Sequence, residues 1–145
     1  MMKVEVLTPE RQVLSSHGTE VVIPTADGIL GVRTGHIPLI APLKAGEIVI
    51  MHEKGEMPDY LAVAGGFVEI LPDAVRIMAD SADHVDDLDE DAINEAVARA
   101  EKAKAVAEDE TQVADAVALI EMNLARLKTL KRRRAHGSHA PMNLE

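Results

Sequence analysis

A chain of 145 residues holds one ordinary domain or two small ones, which excludes a large multidomain enzyme. Apolar residues make up 47% and charged residues 28%, a globular balance, and the absence of Cys removes disulfides, thiolate metal sites and cysteine nucleophiles together. A formal net charge of −10, with Tyr60 and Phe67 the only aromatics, speaks against a nucleic-acid surface or a base-stacking platform.

The first 85 residues carry all but one of the seven prolines and all but one of the nine glycines, set between short Val/Ile/Leu runs. That pattern predicts strands and turns. Strands are expected at Lys3–Val6, Gln12–Ser16, Glu20–Ile23, Ile29–Val32, Glu47–Ile50, Tyr60–Ala64, Phe67–Ile70 and Ala74–Ala79. Many short strands at regular spacing point to an all-β sandwich or flattened barrel. No run approaches the ~20 apolar residues needed to span a bilayer, and Met1 to Val6 lacks the apolar stretch of a signal peptide. The expectation is a soluble, unexported protein in a reducing, cytoplasmic setting.

From Asp86 onward Pro and Gly vanish until Gly137, and Ala dominates. One helix is expected from about Asp89, with an apolar stripe of Ile93, Ala96, Val97, Ala100, Ala103 and Ala107. Glu108-Asp109-Glu110 interrupts it, and Thr111 is the expected N-cap of a second helix whose seam runs through Val113, Val117, Ile120, Leu124 and Leu127. So short a connection predicts an antiparallel hairpin. Its small-residue interface buries little area, which leaves open either a permanently closed hairpin or one that opens without unfolding the sandwich.

The charge is uneven. Residues 86–127 carry twelve carboxylates against four bases, whereas Lys128, Lys131, Arg132, Arg133 and Arg134 face only Glu145 in the last eighteen positions. That basic end suits an acidic protein surface, and it equally suits a solvated helix C-terminus.

Catalytic patterns are missing. Gly28 and Gly31 do not make a dinucleotide fingerprint, and no Gly-Lys-Ser/Thr occurs. Of six scattered histidines only His136 and His139 lie three apart. The carboxylates Asp80, Asp83, Asp86, Asp87, Asp89 and Asp91 lack the central Gly and closing Glu of a calcium loop, so they read as a linker and helix start. Ser15-Ser16-His17 places its side chains on alternate faces of a strand and is no nucleophile site. Neither a catalytic residue nor a metal site is expected.

The most specific stretch is Gly28-Ile29-Leu30-Gly31-Val32-Arg33-Thr34-Gly35-His36-Ile37-Pro38-Leu39-Ile40-Ala41-Pro42-Leu43-Lys44-Ala45-Gly46, whose glycines and prolines force turns and leave the apolar pieces as edge strands or corners. Together with Val4-Glu5-Val6-Leu7-Thr8-Pro9-Glu10, the Gly65-Gly66 strand Leu61–Ile70 and Val75–Asp80, in that order, it resembles the epsilon subunit of the bacterial F-type ATP synthase from about residue 3 to 133.

The resemblance implies a sandwich of about ten strands over residues 1–85, an antiparallel helical hairpin over 86–134 and a flexible tail over 135–145. It implies a non-catalytic rotor subunit on the cytoplasmic side of the plasma membrane, peripheral and without bilayer insertion. The sandwich would bind the gamma subunit and the c-ring, and the hairpin would restrain ATP hydrolysis when extended into the alpha/beta catalytic head. By position Asp27, Ile29, Gly31, Gly35, His36 and Pro38 belong to the gamma and c-ring interface, with Ile29 where related chains often have a carboxylate, and His36 a turn imidazole bonded to backbone. Lys128, Lys131, Arg132, Arg133 and Arg134 belong to the beta-subunit contact. Some relatives bind ATP on the folded hairpin. Here Ala92 replaces the arginine of that motif amid Asp89, Glu90 and Asp91, so weak ATP binding or none is implied, with Asp89, Arg99 and Arg126 the remaining candidates. No other cofactor is expected. A different class of reading is a stand-alone β-sandwich binding module with a coiled-coil oligomerisation hairpin.

Overall fold

Lys3 and Glu5 alternate with Val4 and Val6, and the strand they build, β1 (Met2–Leu7), turns Met2, Val4 and Val6 fully inward. The structure, a computed structural model, describes residues 1–138, with side chains to Ala135. Seven further strands follow: β2 (Gln12–Gly18), β3 (Glu20–Thr25), β4 (Gly28–Arg33), β5 (Leu39–Pro42), β6 (Gly46–Met51), β7 (Asp59–Ile70) and β8 (Ala74–His84).

The register shows how these make two layers. β7 and β8 pair along their length, but β7 meets β6 only through Asp59–Val63 and β5 only through Phe67–Ile70, while β8 meets β1 in parallel only through Ala74–Met78. One layer is therefore β2-β1-β8-β7-β5 and the other β8-β7-β6-β3-β4. The two long strands serve both layers, so the ten expected strand segments are eight continuous strands among the described residues. Tyr60–Ala64 and Phe67–Ile70, expected as separate strands, are the two arms of β7.

The crossing lies at Gly65 and Gly66, with φ of 66° and 94°. A Cβ on Gly66 would strike the Met78 carbonyl, and one on Gly65 the Asp80 carboxylate, so only glycine lets β7 pass from one layer to the other here. Between the layers lies an aliphatic core of Met2, Val4, Val6, Val21, Ile23, Val32, Ile48, Ile50, Leu61, Val63, Val68, Ile70, Val75 and Ile77, each 0 or 1% exposed. At ~25 cal/mol per Å², such burial supplies the main stabilisation of a fold with no large aromatic core.

A short 3-10 turn (Val85–Asp87) leads into α1 (Glu90–Ala105), capped by the Asp89 carboxylate accepting from the Asp91 and Ala92 amides at 3.0 and 3.4 Å. α2 (Glu110–Ser138) starts earlier than Thr111 because Asp109 does the capping, its Oδ1 accepting from the Gln112 amide at 2.8 Å. The two helices form an antiparallel hairpin, the end of α2 returning to the start of α1 where Arg134 pairs with Glu90 at 2.7 Å. α2 continues to Ser138, past the expected boundary at 134. The remainder of the expected tail, and the side chains of the His136/His139 pair, lie outside the described residues.

The expected seam of α2 is displaced. Val113 and Leu124 are exposed at 36 and 50%, and the buried positions are Ala116, Asn123, Ala125 and Thr129. A helix with one partner has one stripe, but α2 packs on α1 and also on β6, β7 and the 3-10 turn. Asn123 and Thr129 tolerate burial because each donates back along the helix, to the Leu119 and Ala125 carbonyls at 2.8 and 2.9 Å. In α1, Ile93 and Ala100 are buried, whereas Ala103, expected in the stripe, is exposed.

Candidate functional site

The arginines of α2 meet the carboxylates that crowd the end of β8 and the start of the hairpin. Arg126 reaches Asp83 at 2.7 Å, Arg132 reaches Glu47 of β6 at 2.8 Å, Arg133 bonds to Asp86 and Arg134 to Glu90. The hydrogen bond from Arg133, helped by the charges of Arg133 and His84, holds the Asp86 carboxyl below its ordinary value against the opposing effect of burial. Burial pushes Glu47 up, outweighing the charges of Arg132 and Lys128 and the nearby Thr129 hydroxyl. The Arg126 and Arg132 pairs tie the hairpin to the sandwich, the Arg133 pair ties α2 to the 3-10 turn at the hairpin root, and the Arg134 pair joins the two helices to each other.

Of the basic residues expected to reach the beta subunit, Arg132, Arg133 and Arg134 are thus engaged within the chain, and Lys128 and Lys131 are exposed. Lys128 and Arg132 line a cleft of about 490 Å³ with Asp27, Ile29, Lys44 and Glu47. The ATP candidates have other tasks: Asp89 caps α1, Arg126 serves Asp83 and Asn123, and Arg99 is exposed.

A second polar cluster sits at the hairpin root. Asp59 takes His52 Nε2 on one oxygen at 2.7 Å and His84 Nε2 on the other at 3.0 Å. The His84 Nδ1 accepts the Asp86 amide at 3.1 Å, so its proton is on Nε2. His52 differs: its Nδ1 faces the His17 carbonyl at 2.9 Å, so both nitrogens face acceptors and both donate only when the ring is cationic. Burial works against that charge, but the bonds to Asp59 and His17 and the nearby Asp59 and Glu56 charges together raise the His52 pKa above 6.5. Residues so far apart in sequence, each common on a surface, left no linear signal for this cluster. Among the described residues no group of three or more His, Asp or Glu side chains is arranged to hold a metal ion.

The expected interface residues occupy two places. Asp27 and Ile29 lie at the β3–β4 turn, with Ile29 77% exposed, beside Pro42, whose carbonyl accepts the Ala26 amide at 3.1 Å. Gly35, His36 and Pro38 lie past the other end of β4, where the Gly35 amide donates to the Pro72 carbonyl at 2.7 Å and His36 Nδ1 approaches the Ile37 carbonyl at 2.7 Å. Five steps of extended strand, about 17 Å, separate Gly28 from Arg33, so these residues do not form one patch. Gly31 sits between, an exposed residue of β4.

A continuous apolar row lies elsewhere, on the outer face of the layer away from the hairpin. Leu7, Met78, Phe67 and Pro42 are registered side by side across β1, β8, β7 and β5. Phe67 is 55% and Met78 41% exposed, and Ile40, two residues before Pro42 on β5 and 67% exposed, extends the patch. Phe67 faces outward rather than into the core. The alternation on β7 places its neighbour Val68 inside instead.

Among the described residues no helix is long and apolar enough to cross a membrane. Residues 1–85 match the family model described as "ATP synthase, Delta/Epsilon chain, beta-sandwich domain". The ATP synthase epsilon chain of Moorella thermoacetica is 38% identical over 127 residues, covering 88% of this chain and 94% of that one. That of Chromohalobacter salexigens is 34% identical over 134 residues, covering 92% and 94%. In fold, the chain resembles one in the Euglena gracilis mitochondrial ATP synthase with a TM-score of 0.76 at 20% identity, covering 89% of this chain and 81% of that one. A chain of the Tetrahymena thermophila mitochondrial ATP synthase central stalk gives 0.57 at 15% identity, covering 89% and 96%. With a family model over its whole sandwich and relatives above 30% identity across both domains, the chain belongs to the ATP synthase epsilon family and is a non-catalytic rotor subunit of that complex.

Proposed function

We propose that the sandwich is the anchor of this subunit on the rotor and the hairpin its movable brake. The sandwich docks on the gamma subunit through the apolar row Leu7, Met78, Phe67 and Pro42, and meets the c-ring at an exposed end of the sheets, on the cytoplasmic side of the bacterial plasma membrane. The hairpin leaves the sandwich, extends into the alpha/beta head and slows ATP hydrolysis there. The stand-alone module gives way to this reading.

The observation that carries it is the engagement of Arg132, Arg133 and Arg134 by Glu47, Asp86 and Glu90. A helix held by exchangeable ion pairs and by alanines can be released. The Arg133 and Arg134 pairs are exposed and contribute about 0–1 kcal/mol each, the Arg132 pair sets an exposed guanidinium against a buried carboxylate, and a small-residue helix interface adds only a few kcal/mol. An acidic surface on the catalytic head offers the same arginines equivalent partners, so docking inside the chain and docking on the head compete.

The anchor is tested by binding of the cognate gamma subunit to the double variant Phe67→Glu, Met78→Glu. Two charges placed at the centre of an apolar contact are expected to weaken binding by at least tenfold with the circular dichroism of the chain unchanged. Unaltered affinity would move the anchor to another face.

A further inference from the structure

Glu47 is the most enclosed of the carboxylates that hold the hairpin. Its side chain is 6% exposed, its Oε1 accepts from Arg132 Nε at 2.8 Å, and its Oε2 is buried without a hydrogen-bond partner. It is faced by Arg132, Lys128 and Thr129 of α2 and by Tyr60 of β7. The Thr129 hydroxyl donates to the Ala125 carbonyl. Half of this carboxylate is therefore served and half is stranded. An ionised oxygen cut off from water costs far more than a protonated carboxyl in the same place.

α2 supplies that enclosure. With the helix away, Glu47 lies on the outer face of β6 in water, where a carboxylate has its ordinary affinity for protons. We propose that docking of the hairpin is coupled to uptake of a proton at Glu47, so that a fall in pH favours the docked form and a rise in pH releases the helix. The inference rests on the reading that the hairpin can leave the sandwich.

The sign follows from linkage. A carboxyl whose affinity for protons is higher in the docked form contributes docking stability that is fully present below its ordinary value of 4.5 and is lost as the pH rises through its raised, docked value. Within that window the docking constant changes by up to about tenfold per pH unit, the limit for one proton. The arginine pairing survives protonation in part, because a neutral carboxyl oxygen still accepts from Arg132 Nε.

The chain has no cysteine, which gives a clean probe. Val49 is 6% exposed and packs in the cluster that Leu130 of α2 joins. Val49→Cys in the full chain reports hairpin opening through its labelling rate, each rate divided by that of the same thiol in the urea-unfolded chain at the same pH. Val63→Cys, in the sandwich core, reports global unfolding. The expected result is an opening constant at Val49→Cys that rises with pH between 4.5 and 8, exceeds that at Val63→Cys, and becomes flat when Glu47→Gln is added. A flat profile in the presence of Glu47 overturns the proton coupling and leaves the movable hairpin standing. Equal opening constants at the two thiols overturn both, since the hairpin would then open only with the whole chain. If Glu47→Gln does not fold, carbon-detected titration of the Glu47 carboxyl in the unsubstituted chain decides. A midpoint above 4.5 supports the coupling, and one at or below 4.5 overturns it.

Discussion

Arg126 of α2 grips Asp83 of β8 with two nitrogens on one carboxylate oxygen, Nε at 2.9 Å and a terminal nitrogen at 2.7 Å. Its other terminal nitrogen donates to Asn123 Oδ1 at 3.0 Å, which orients the guanidinium before it leaves the helix. Both partners are about three-quarters buried. This is the tie between hairpin and sandwich that solvent screens least among those made by the paired arginines of α2, apart from Glu47.

Removing it loosens the hairpin alone. Asp83→Asn keeps the shape and removes the charge, and a loss of about 1 kcal/mol of docking is expected, reduced from the range for charged bonds by the remaining exposure. Native-state hydrogen exchange is the measurement: α1 and the second half of α2 exchange about fivefold faster while β1 and β8 keep their protection. Uniform acceleration across the chain would mean that hairpin and sandwich open as one unit.

The His52 ring makes the sandwich corner sensitive to pH. Its raised pKa means that the stability it contributes is complete below 6.5 and is lost as pH rises through the raised value. Urea midpoints are therefore expected to fall between pH 6.5 and 8.5, and His52→Gln, which keeps one donor toward Asp59 and cannot titrate, should remove that slope. A slope that persists in the variant would assign it to another group.

Gly66 carries the crossing between layers. Gly66→Ala places a Cβ against the Met78 carbonyl at a φ of 94°, and a loss of roughly 1–3 kcal/mol in chemical denaturation is expected from backbone strain alone. Gly55, with φ of 97° but nothing within 4 Å, is the control in which only the strain is felt.

Nucleotide binding is expected to be weak or absent. Asp89 is committed to capping α1 and Arg126 to Asp83, and Ala92 offers no charge to a phosphate. Calorimetric titration with ATP should give no saturable heat at millimolar nucleotide, and Ala92→Arg should improve affinity. Tight binding by the unsubstituted chain would show that other residues recognise the nucleotide.

The layered sandwich and the hairpin were legible because their signals are local. Alternation in Lys3–Val6, the Gly and Pro punctuation before residue 85 and the alanine-rich run after it each report on a few neighbouring residues. The reading missed what two distant partners decide together. The seam of α2 was drawn for a helix packed on one other helix, and Leu124 comes out half exposed because β6 and β7 claim another face. Likewise Asp83 and Asp86 read as a solvated linker, although the later run of arginines is their complement in charge. Asp59 and its two histidines had no signal in the linear sequence, since β6, β7 and β8 bring them together only after pairing.

In the proposed function one domain anchors and the other restrains. Its most direct test is ATP hydrolysis by the cognate catalytic head depleted of this subunit, after adding back either the full chain or a version ending at Asp86. Both are expected to bind, and only the full chain is expected to lower the rate. Equal rates with both bound would contradict the brake, and failure of the shortened chain to bind would contradict the anchor.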